Sequence, residues 1–262
     1  MTRTSVFLTV CLLLICGTLP SQAQQMPAAT TSCSYGYTSG SSNTYLRYCV
    51  TVNGNIIELE TPQGHEQIEF GTIGEGYGIC NETPATEYHD YAGFGDSGNW
   101  AAPTLLSHTA TSVKIARTTS DGDWTLTQTI TQVAPTSSIK IVMALRNNTS
   151  TARVAYLLRY ADVSADGRFL NTLDSTLNTV AGWNTSGSSN PYGLQLQNVG
   201  TPPFSFWSGY AQNIPDGPNA CNFAGNYVGG PLVATNGSLV MAYVGTVPAH
   251  GTRAATLTYR AF

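Results

Sequence analysis

The sequence predicts an all-β protein, a large two-sheet antiparallel β-sandwich with long glycine-rich loops. Many short segments alternate apolar and polar residues, which is the pattern of half-buried strands. Gly, Asn, Asp and Pro separate these segments at regular intervals, as they do in sandwiches and barrels. We find no stretch of useful length with the 3.6-residue apolar period of an amphipathic helix.

The first residues have the features of a secretory signal peptide, which we place at residues 1–23. Arg3 supplies the positive start, residues 6–14 form an apolar run, and Ser21-Gln22-Ala23 has the small residues that a signal peptidase recognises. We therefore expect a secreted, extracellular protein, or a periplasmic one. No later stretch approaches the roughly 18 apolar residues of a membrane-spanning helix, so we predict no membrane span.

Two further regions follow the signal peptide. The segment 24–43 is small and polar, and we expect it to be flexible until Cys33 ties it down. Residues 44–262 are predicted to form a single β-sandwich domain, because large sandwiches commonly reach this length.

The charge balance argues against a nucleic-acid partner. The 262 residues include 11 Lys and Arg against 15 Asp and Glu, for a formal net charge of −4. The basic residues form no run that would bind a phosphate backbone. A hydrophobic content of 42% is nevertheless enough to build a core.

Four cysteines follow the signal peptide: Cys33, Cys49, Cys80 and Cys221. An even number of cysteines in an oxidising compartment indicates disulfides, and four cysteines allow three pairings. We predict the local bond Cys33–Cys49 and the long-range bond Cys80–Cys221.

The first strands are predicted around a hairpin. Residues 45–52 and 55–60 are rich in β-forming side chains, and Asn53-Gly54 lies between them. Because both turn residues tolerate a positive φ, this pair indicates a type I′ turn. From 61 to 103 the alternation is lost, and only 67–73 resembles a strand.

Regular alternation returns after residue 111. The segments 124–133, 139–145 and 154–160 are predicted to form a meander, and the last of them is apolar on both faces and therefore central. The remaining predicted strands are 112–118, 193–198, 204–210, 239–244 and 253–262.

The end of this meander carries a pattern that is typical of a calcium loop. Oxygen-bearing side chains stand at loop positions 1, 3 and 5, and Gly167 at position 6 allows a sharp turn. Leu173 occupies position 12, where a Glu usually closes the site, so Asn171 or Asp174 would have to close it. The predicted calcium ligands are Asp162, Ser164, Asp166, the Arg168 carbonyl, Asn171 and Asp174. The alternative is a polar β-turn in which Asp caps the backbone.

A second candidate site lies between residues 65 and 100, where carboxylates, histidines and aromatic residues are concentrated. Aromatic rings cover the apolar faces of sugars, and carboxylates bind hydroxyls or transfer protons. The predicted ligand-binding residues are Tyr77, Tyr88, His89, Asp90, Tyr91 and Trp100. If the protein is an enzyme, Glu75, His89 and Asp90 are the predicted catalytic residues. The alternative is a pair of solvated loops over one sheet edge.

In size and strand count the chain resembles the large two-sheet sandwich domains of the galactose-mutarotase-like type. Residues 162–174 also resemble the DxDxDG-type calcium loops of secreted β-proteins. The architectural resemblance implies a fold and leaves the function to be argued from the site.

We expect a secreted module that binds a glycan or cell-surface ligand, or has a structural role, and that contains a structural calcium ion. We favour binding over catalysis because the sequence contains no assembled catalytic motif. The alternative is a carbohydrate-active enzyme of the glycosidase, lyase or epimerase class.

Overall fold

The structure is a computed structural model that describes residues 32–68, 74–93, 95–184, 191–212, 217–222 and 231–262. Three single-turn 3-10 helices occur in it, at Ser42–Thr44, Ala134–Thr136 and Ala165–Gly167. The strands, in chain order, are β1 Tyr35–Ser39, β2 Leu46–Val50, β3 Ile56–Glu60, β4 Glu75–Asn81, β5 Thr86–Tyr91, β6 Gly95–Asp96, β7 Thr104–His108, β8 Ser112–Thr118, β9 Trp124–Val133, β10 Ser138–Asn147, β11 Arg153–Asp162, β12 Asn171–Ser175, β13 Thr179–Trp183, β14 Gly193–Asn198, β15 Phe206–Gln212, β16 Leu232–Thr235, β17 Ser238–Val247 and β18 Thr252–Ala261.

The strands form a two-sheet antiparallel sandwich with a small additional sheet, which confirms the predicted fold class. One large sheet has nine strands in the order β16-β12-β13-β14-β18-β10-β9-β8-β7. The other has six strands in the order β15-β17-β11-β4-β5-β6, and β1, β2 and β3 form the small sheet. No helix in the described part of the chain is long and apolar enough to cross a membrane.

The core forms where the inner faces of the two large sheets meet. On β9 the residues Trp124, Leu126 and Ile130 are buried, and the threonines between them face outward and are partly exposed. Strand β10 repeats the pattern with Ile139 and Ile141. The alternation in the sequence therefore identified the inner face of the nine-stranded sheet correctly.

The predicted meander is corrected at its third strand. Strands β9 and β10 pair with each other, but β11 belongs to the six-stranded sheet, where it lies between β17 and β4. Its central position was predicted from apolar residues on both faces. The turn at 148–152 sends the chain across to the other sheet, and alternation within a strand carries no information about this crossing.

The sequence missed β4 and β5, which form neighbouring strands of the six-stranded sheet. Every residue of β4 is buried, including Gly76 and Gly78, so the strand shows no apolar–polar alternation. Residues 69–73 of the predicted strand 67–73 lie outside the described residues.

The predicted N-terminal segment is only partly described. The signal peptide and residues 24–31 lie outside the described residues. Tyr35–Ser39, which we expected to be flexible, forms strand β1 and pairs with β2. The Cys33–Cys49 disulfide holds the start of this pairing together.

The tip of the β2–β3 hairpin is buried between the large sheets. Asn55 is fully buried, and its side-chain amide donates to the carbonyls of Glu75 (3.3 Å) and Asp90 (3.0 Å). The turn is not the predicted type I′. Gly54 has a positive φ of 92°, but Asn53 is not among the residues with positive φ. The backbone N of Gly54 donates to the carbonyl of Thr51 at 3.1 Å.

Candidate functional site

The predicted ligand-binding segment divides between two faces of one sheet. Successive side chains of a strand point to opposite faces. On β5, Tyr88 and Asp90 face the interior, whereas Glu87, His89 and Tyr91 lie on the opposite side. We call this second side, which is turned away from the nine-stranded sheet, the outer face.

Glu75 lies deep in the interior and forms an ion pair with Arg159, and both side chains are fully buried. Its carboxylate also accepts hydrogen bonds from the backbone N of Ile56 (2.6 Å) and the hydroxyl of Tyr259 (2.7 Å). Burial raises the pKa of Glu75 to about 7, and the positive charge of Arg159 opposes that rise. A substrate cannot reach a carboxylate enclosed in this way. We therefore interpret Glu75 as structural and do not retain it as a catalytic residue.

Arg117 forms a second buried group with two carboxylates. Its Nη1 lies 2.5 Å from Asp90 Oδ2, and its Nη2 lies 2.7 Å from Asp96 Oδ2. The amide of Asn53 donates to Asp90 at 2.7 Å, and the hydroxyl of Tyr77 donates to the carbonyl of Asn53 at 2.8 Å. Burial raises the pKa of Asp90 to about 6; Arg117 lowers it and the nearby Asp96 raises it. Asp90 is thus a partner of Arg117, and we no longer assign it to catalysis.

The inward-facing aromatic residues complete this group. The Trp100 ring lies 5.1 Å from the Arg117 guanidinium and meets the rings of Tyr77 and Tyr88 edge-on, at 5.7 and 6.1 Å between centroids. Tyr88 also donates to Asp121 at 2.5 Å. Four of the six predicted ligand-binding residues therefore come together, but in a filled interior. Their position corrects the prediction that they line a binding pocket.

The other two predicted residues form a small cluster on the outer face with Glu87. His89 Nδ1 lies 3.3 Å from Glu87 Oε1, and the two side chains are 19% and 20% exposed. The rings of His89 and Tyr91 stack at 4.8 Å with an interplanar angle of 4°. Tyr160 from the neighbouring part of the face packs against Tyr91 at 5.2 Å. A carboxylate, an imidazole and two phenol rings thus lie side by side.

A short segment that we call the strap, residues 217–222, crosses this cluster. The backbone N of Ala220 donates to Glu87 Oε1 at 2.7 Å, and the Asn219 amide donates to Glu87 Oε2 at 2.9 Å. The hydroxyl of Tyr91 donates to the carbonyl of Pro218 at 2.6 Å. Glu87 and Tyr91 therefore hold the strap as well as belonging to the cluster.

Both predicted disulfides are present in the structure, which confirms the pairing. Cys80–Cys221 ties the strap to β4, with 4.9 Å between the Cα atoms. The strap lies so close to the sheet that a Cβ on Gly217 would come 2.0 Å from the Tyr91 ring. Only glycine fits at this position.

The predicted calcium loop is held by contacts among its own residues and by His65. Asp166 Oδ1 lies 2.7 Å from His65 Nδ1. The Asn171 amide donates to the carbonyls of Val163 (3.0 Å) and Arg168 (2.8 Å). The Arg168 carbonyl, a predicted calcium ligand, thus accepts a hydrogen bond from the Asn171 side chain.

The remaining predicted calcium ligands are placed as follows. Asp162 and Ser164 are buried, and Asp174 accepts a hydrogen bond from the backbone N of Ser175 at 2.8 Å. Within the described ranges, no three or more His, Cys, Asp or Glu side chains are grouped so that they could hold a metal ion. The calcium site therefore stays a prediction from the sequence.

No motif or spacing in the sequence identifies Glu87, Arg117, Arg159 or the strap as functional or structural partners. Glu87 stands two residues before His89, and the alternation of a strand would have placed both side chains on one face. That signal became usable only once Thr86–Tyr91 was known to be a strand. The strap has no comparable signal apart from Cys221.

Comparison with known proteins identifies the fold. No protein-family model matches the chain, and no curated protein matches it. A bacterial glucoamylase complexed with acarbose is similar at a TM-score of 0.56 and 10% identity, over 89% of this chain and 33% of that chain. This chain therefore spans about a third of that protein's length, and at this identity the likeness shows the fold alone.

Two further similar structures have TM-scores below 0.5. A putative aldose 1-epimerase from Escherichia coli K12 has a TM-score of 0.49 and 9% identity, over 87% of this chain and 99% of that chain. A galactose mutarotase related enzyme from Lactobacillus acidophilus has a TM-score of 0.43 and 6% identity, over 87% of this chain and 97% of that chain. The comparisons support a two-sheet β-sandwich fold and assign the chain to no family.

Proposed function

We propose that the protein is a secreted glycan-binding module that binds its ligand on the outer face, at Glu87 and His89. The observation that carries this proposal is the cluster itself. The imidazole and the carboxylate are partly exposed and can bind sugar hydroxyls, and the buried ring of Tyr91 stacks on the imidazole and fixes its orientation.

Two other observations support the proposal. The glucoamylase with a similar fold is described in complex with acarbose, and this chain corresponds in length to a third of it. A sandwich of this kind therefore occurs as part of a carbohydrate-active protein. Two disulfides suit an oxidising compartment, as secretion requires.

The binding proposal is tested by retention on insoluble plant and microbial polysaccharides and by a glycan array. We expect the wild type to be retained and His89→Ala to weaken binding about tenfold, the effect of losing one or two good polar or stacking contacts. His108→Ala is the matched control, because His108 is an exposed histidine on the edge strand β7 of the other sheet. Failure of the wild type to bind, or equal weakening in both variants, would contradict the proposal.

The second candidate function is a carbohydrate-active enzyme. The distance of 3.3 Å between Glu87 and His89 favours it, because a carboxylate beside an imidazole is a common arrangement for proton transfer. A reaction screen on the same polysaccharides separates the two functions. Turnover that is lost in both Glu87→Gln and His89→Ala would support the enzyme, and the absence of turnover by the wild type would exclude it on those substrates.

A further inference from the structure

A groove of about 480 Å³ lies at one end of the nine-stranded sheet, on elements that take no part in the outer-face cluster. This volume is within the usual range for sites that bind small molecules. Strands β14 and β18 meet at its wall, where Gly193 and Phe262 exchange backbone hydrogen bonds of 2.9 and 3.0 Å. The lining residues that matter here are Asn43, Thr44, Thr61, Tyr192, Arg260 and Phe262.

The Tyr192 ring is held in position at this groove by a pair of residues behind it. It stacks on the imidazole of His65 at 3.7 Å between centroids, with an interplanar angle of 20°. His65 is held in turn by Asp166, whose Oδ1 lies 2.7 Å from His65 Nδ1. One face of the phenol ring is thus covered by protein, and its position is set before any ligand arrives.

Arg260 supplies a positive charge to the same groove. Its side chain is exposed, and no acidic residue in the part of the chain that the structure describes lies within ion-pair distance of it. By contrast, Arg47, Arg117, Arg153 and Arg159 each pair with a carboxylate. A guanidinium presents a planar set of donors that matches a carboxylate in a bidentate manner.

The rest of the lining combines hydroxyl and amide side chains with prolines, Ala261 and Phe262. Asn43, Thr44 and Thr61 line the groove with Tyr192 and Arg260, so amide and hydroxyl groups stand near both the ring and the charge. A ligand that matches this lining has an apolar ring face, several hydroxyls and one negative charge. A uronic acid residue of a polysaccharide has all three.

We propose that this groove binds a carboxylated sugar, with the carboxylate on Arg260 and the sugar ring against Tyr192. His65 and Asp166 act as positioning residues for the tyrosine ring. The proposal does not depend on glycan binding at the outer face, because the two sites share no residue.

The experiment is a calorimetric titration of the full chain with trigalacturonate, and with the neutral sugar maltotriose as the comparison. We expect trigalacturonate to bind more tightly than maltotriose, and its binding to weaken as salt is raised, because an exposed ion pair is screened. Arg260→Gln should lower the affinity for trigalacturonate about tenfold, the usual effect of losing a charged hydrogen bond.

Arg146→Gln is the matched control, because it removes the same charge from an exposed arginine elsewhere in the nine-stranded sheet. It should leave binding unchanged. The proposal is overturned if trigalacturonate binds no better than maltotriose, or if Arg146→Gln weakens binding as much as Arg260→Gln does. His89→Ala separates this site from the outer face, because it should not alter trigalacturonate binding in the groove.

The positioning role of His65 and Asp166 at the Tyr192 ring is tested separately. His65→Ala removes the surface on which Tyr192 stacks and should lower the affinity for both sugars, whereas Arg260→Gln should affect only the charged one. An effect of His65→Ala on trigalacturonate alone would contradict the positioning role.

Discussion

Asp90 and His89 are neighbours in the sequence, yet they belong to two regions with opposite chemistry. Asp90 faces the interior, where it is paired with Arg117 and closed off by Asn53. His89 faces outward, where it is partly exposed beside Glu87. The same strand thus carries a structural carboxylate and a candidate binding residue. An acidic residue near aromatic residues therefore indicates a site only when its side of the sheet is known.

The largest effect should come from removing one partner of the buried ion pair between Arg159 and Glu75. Arg159→Met leaves the Glu75 carboxylate buried without its partner, and we expect a loss of about 3–5 kcal/mol in the free energy of unfolding. Arg153→Met is the matched control on the same strand, because its pair with Asp123 is partly exposed and should contribute at most about 1 kcal/mol. Urea unfolding measures both losses, and similar losses would show that burial does not distinguish the two pairs.

The next largest effect concerns the strap. Replacing Cys80 and Cys221 by Ser should lower the free energy of unfolding by about 2–5 kcal/mol, as should replacing Cys33 and Cys49. Only the Cys80–Cys221 disulfide anchors the strap over the outer face. Only its loss should therefore increase the rate at which diethylpyrocarbonate modifies His89. Peptide mapping gives this rate, and equal rates in the two double variants would contradict the covering role of the strap.

A smaller effect is expected from pH. The pKa of Asp90 in the folded protein, about 6, lies above its ordinary value of 3.8. Between these pH values the folded protein therefore binds more protons than the unfolded chain. Stability due to this group should therefore fall as the pH rises from about 4 to about 6, by up to about 3 kcal/mol.

Urea unfolding of wild type and Asp90→Asn across this range measures the pH effect. The variant should lack this part of the pH dependence. Asp123→Asn, which changes a partly exposed carboxylate, should keep it. If the free energy of unfolding of Asp90→Asn changes with pH as that of the wild type does, the pKa of Asp90 is not raised in the folded protein.

The smallest effect is expected at the predicted calcium loop. A bound ion would make EDTA lower the melting temperature and Asp166→Ala abolish that response. We expect the wild type to show both effects, because Asp162, Ser164 and Asp166 place oxygen-bearing side chains at loop positions 1, 3 and 5. Asn171→Asp should lower the melting temperature, because it replaces the donor by a carboxylate facing two carbonyls. A wild-type melting temperature that EDTA leaves unchanged would favour the alternative of a polar turn.

The sequence predicted well where structure is decided locally. Alternation identified β8, β9 and β10 and their buried faces, because a half-buried strand has a period of two residues. It failed at β4, where Gly76 and Gly78 replace the expected side chains on the outer face. A Cβ on Gly78 would come 2.9 Å from the Tyr91 hydroxyl, and that contact depends on a neighbouring strand.

The sequence by itself determined the all-β class and predicted, among three possible pairings, the disulfides that the structure contains. It also pointed to four residues of the interior group and to His89 and Tyr91 of the outer-face cluster, but not to Arg117 or Glu87. Only the tertiary structure decided which residue joins which group. Glu75 meets Arg159 across 84 positions, and Glu87 meets the strap across 133. Such partners are set by sheet order and by which face each side chain occupies, and neither follows from the local pattern that makes a strand.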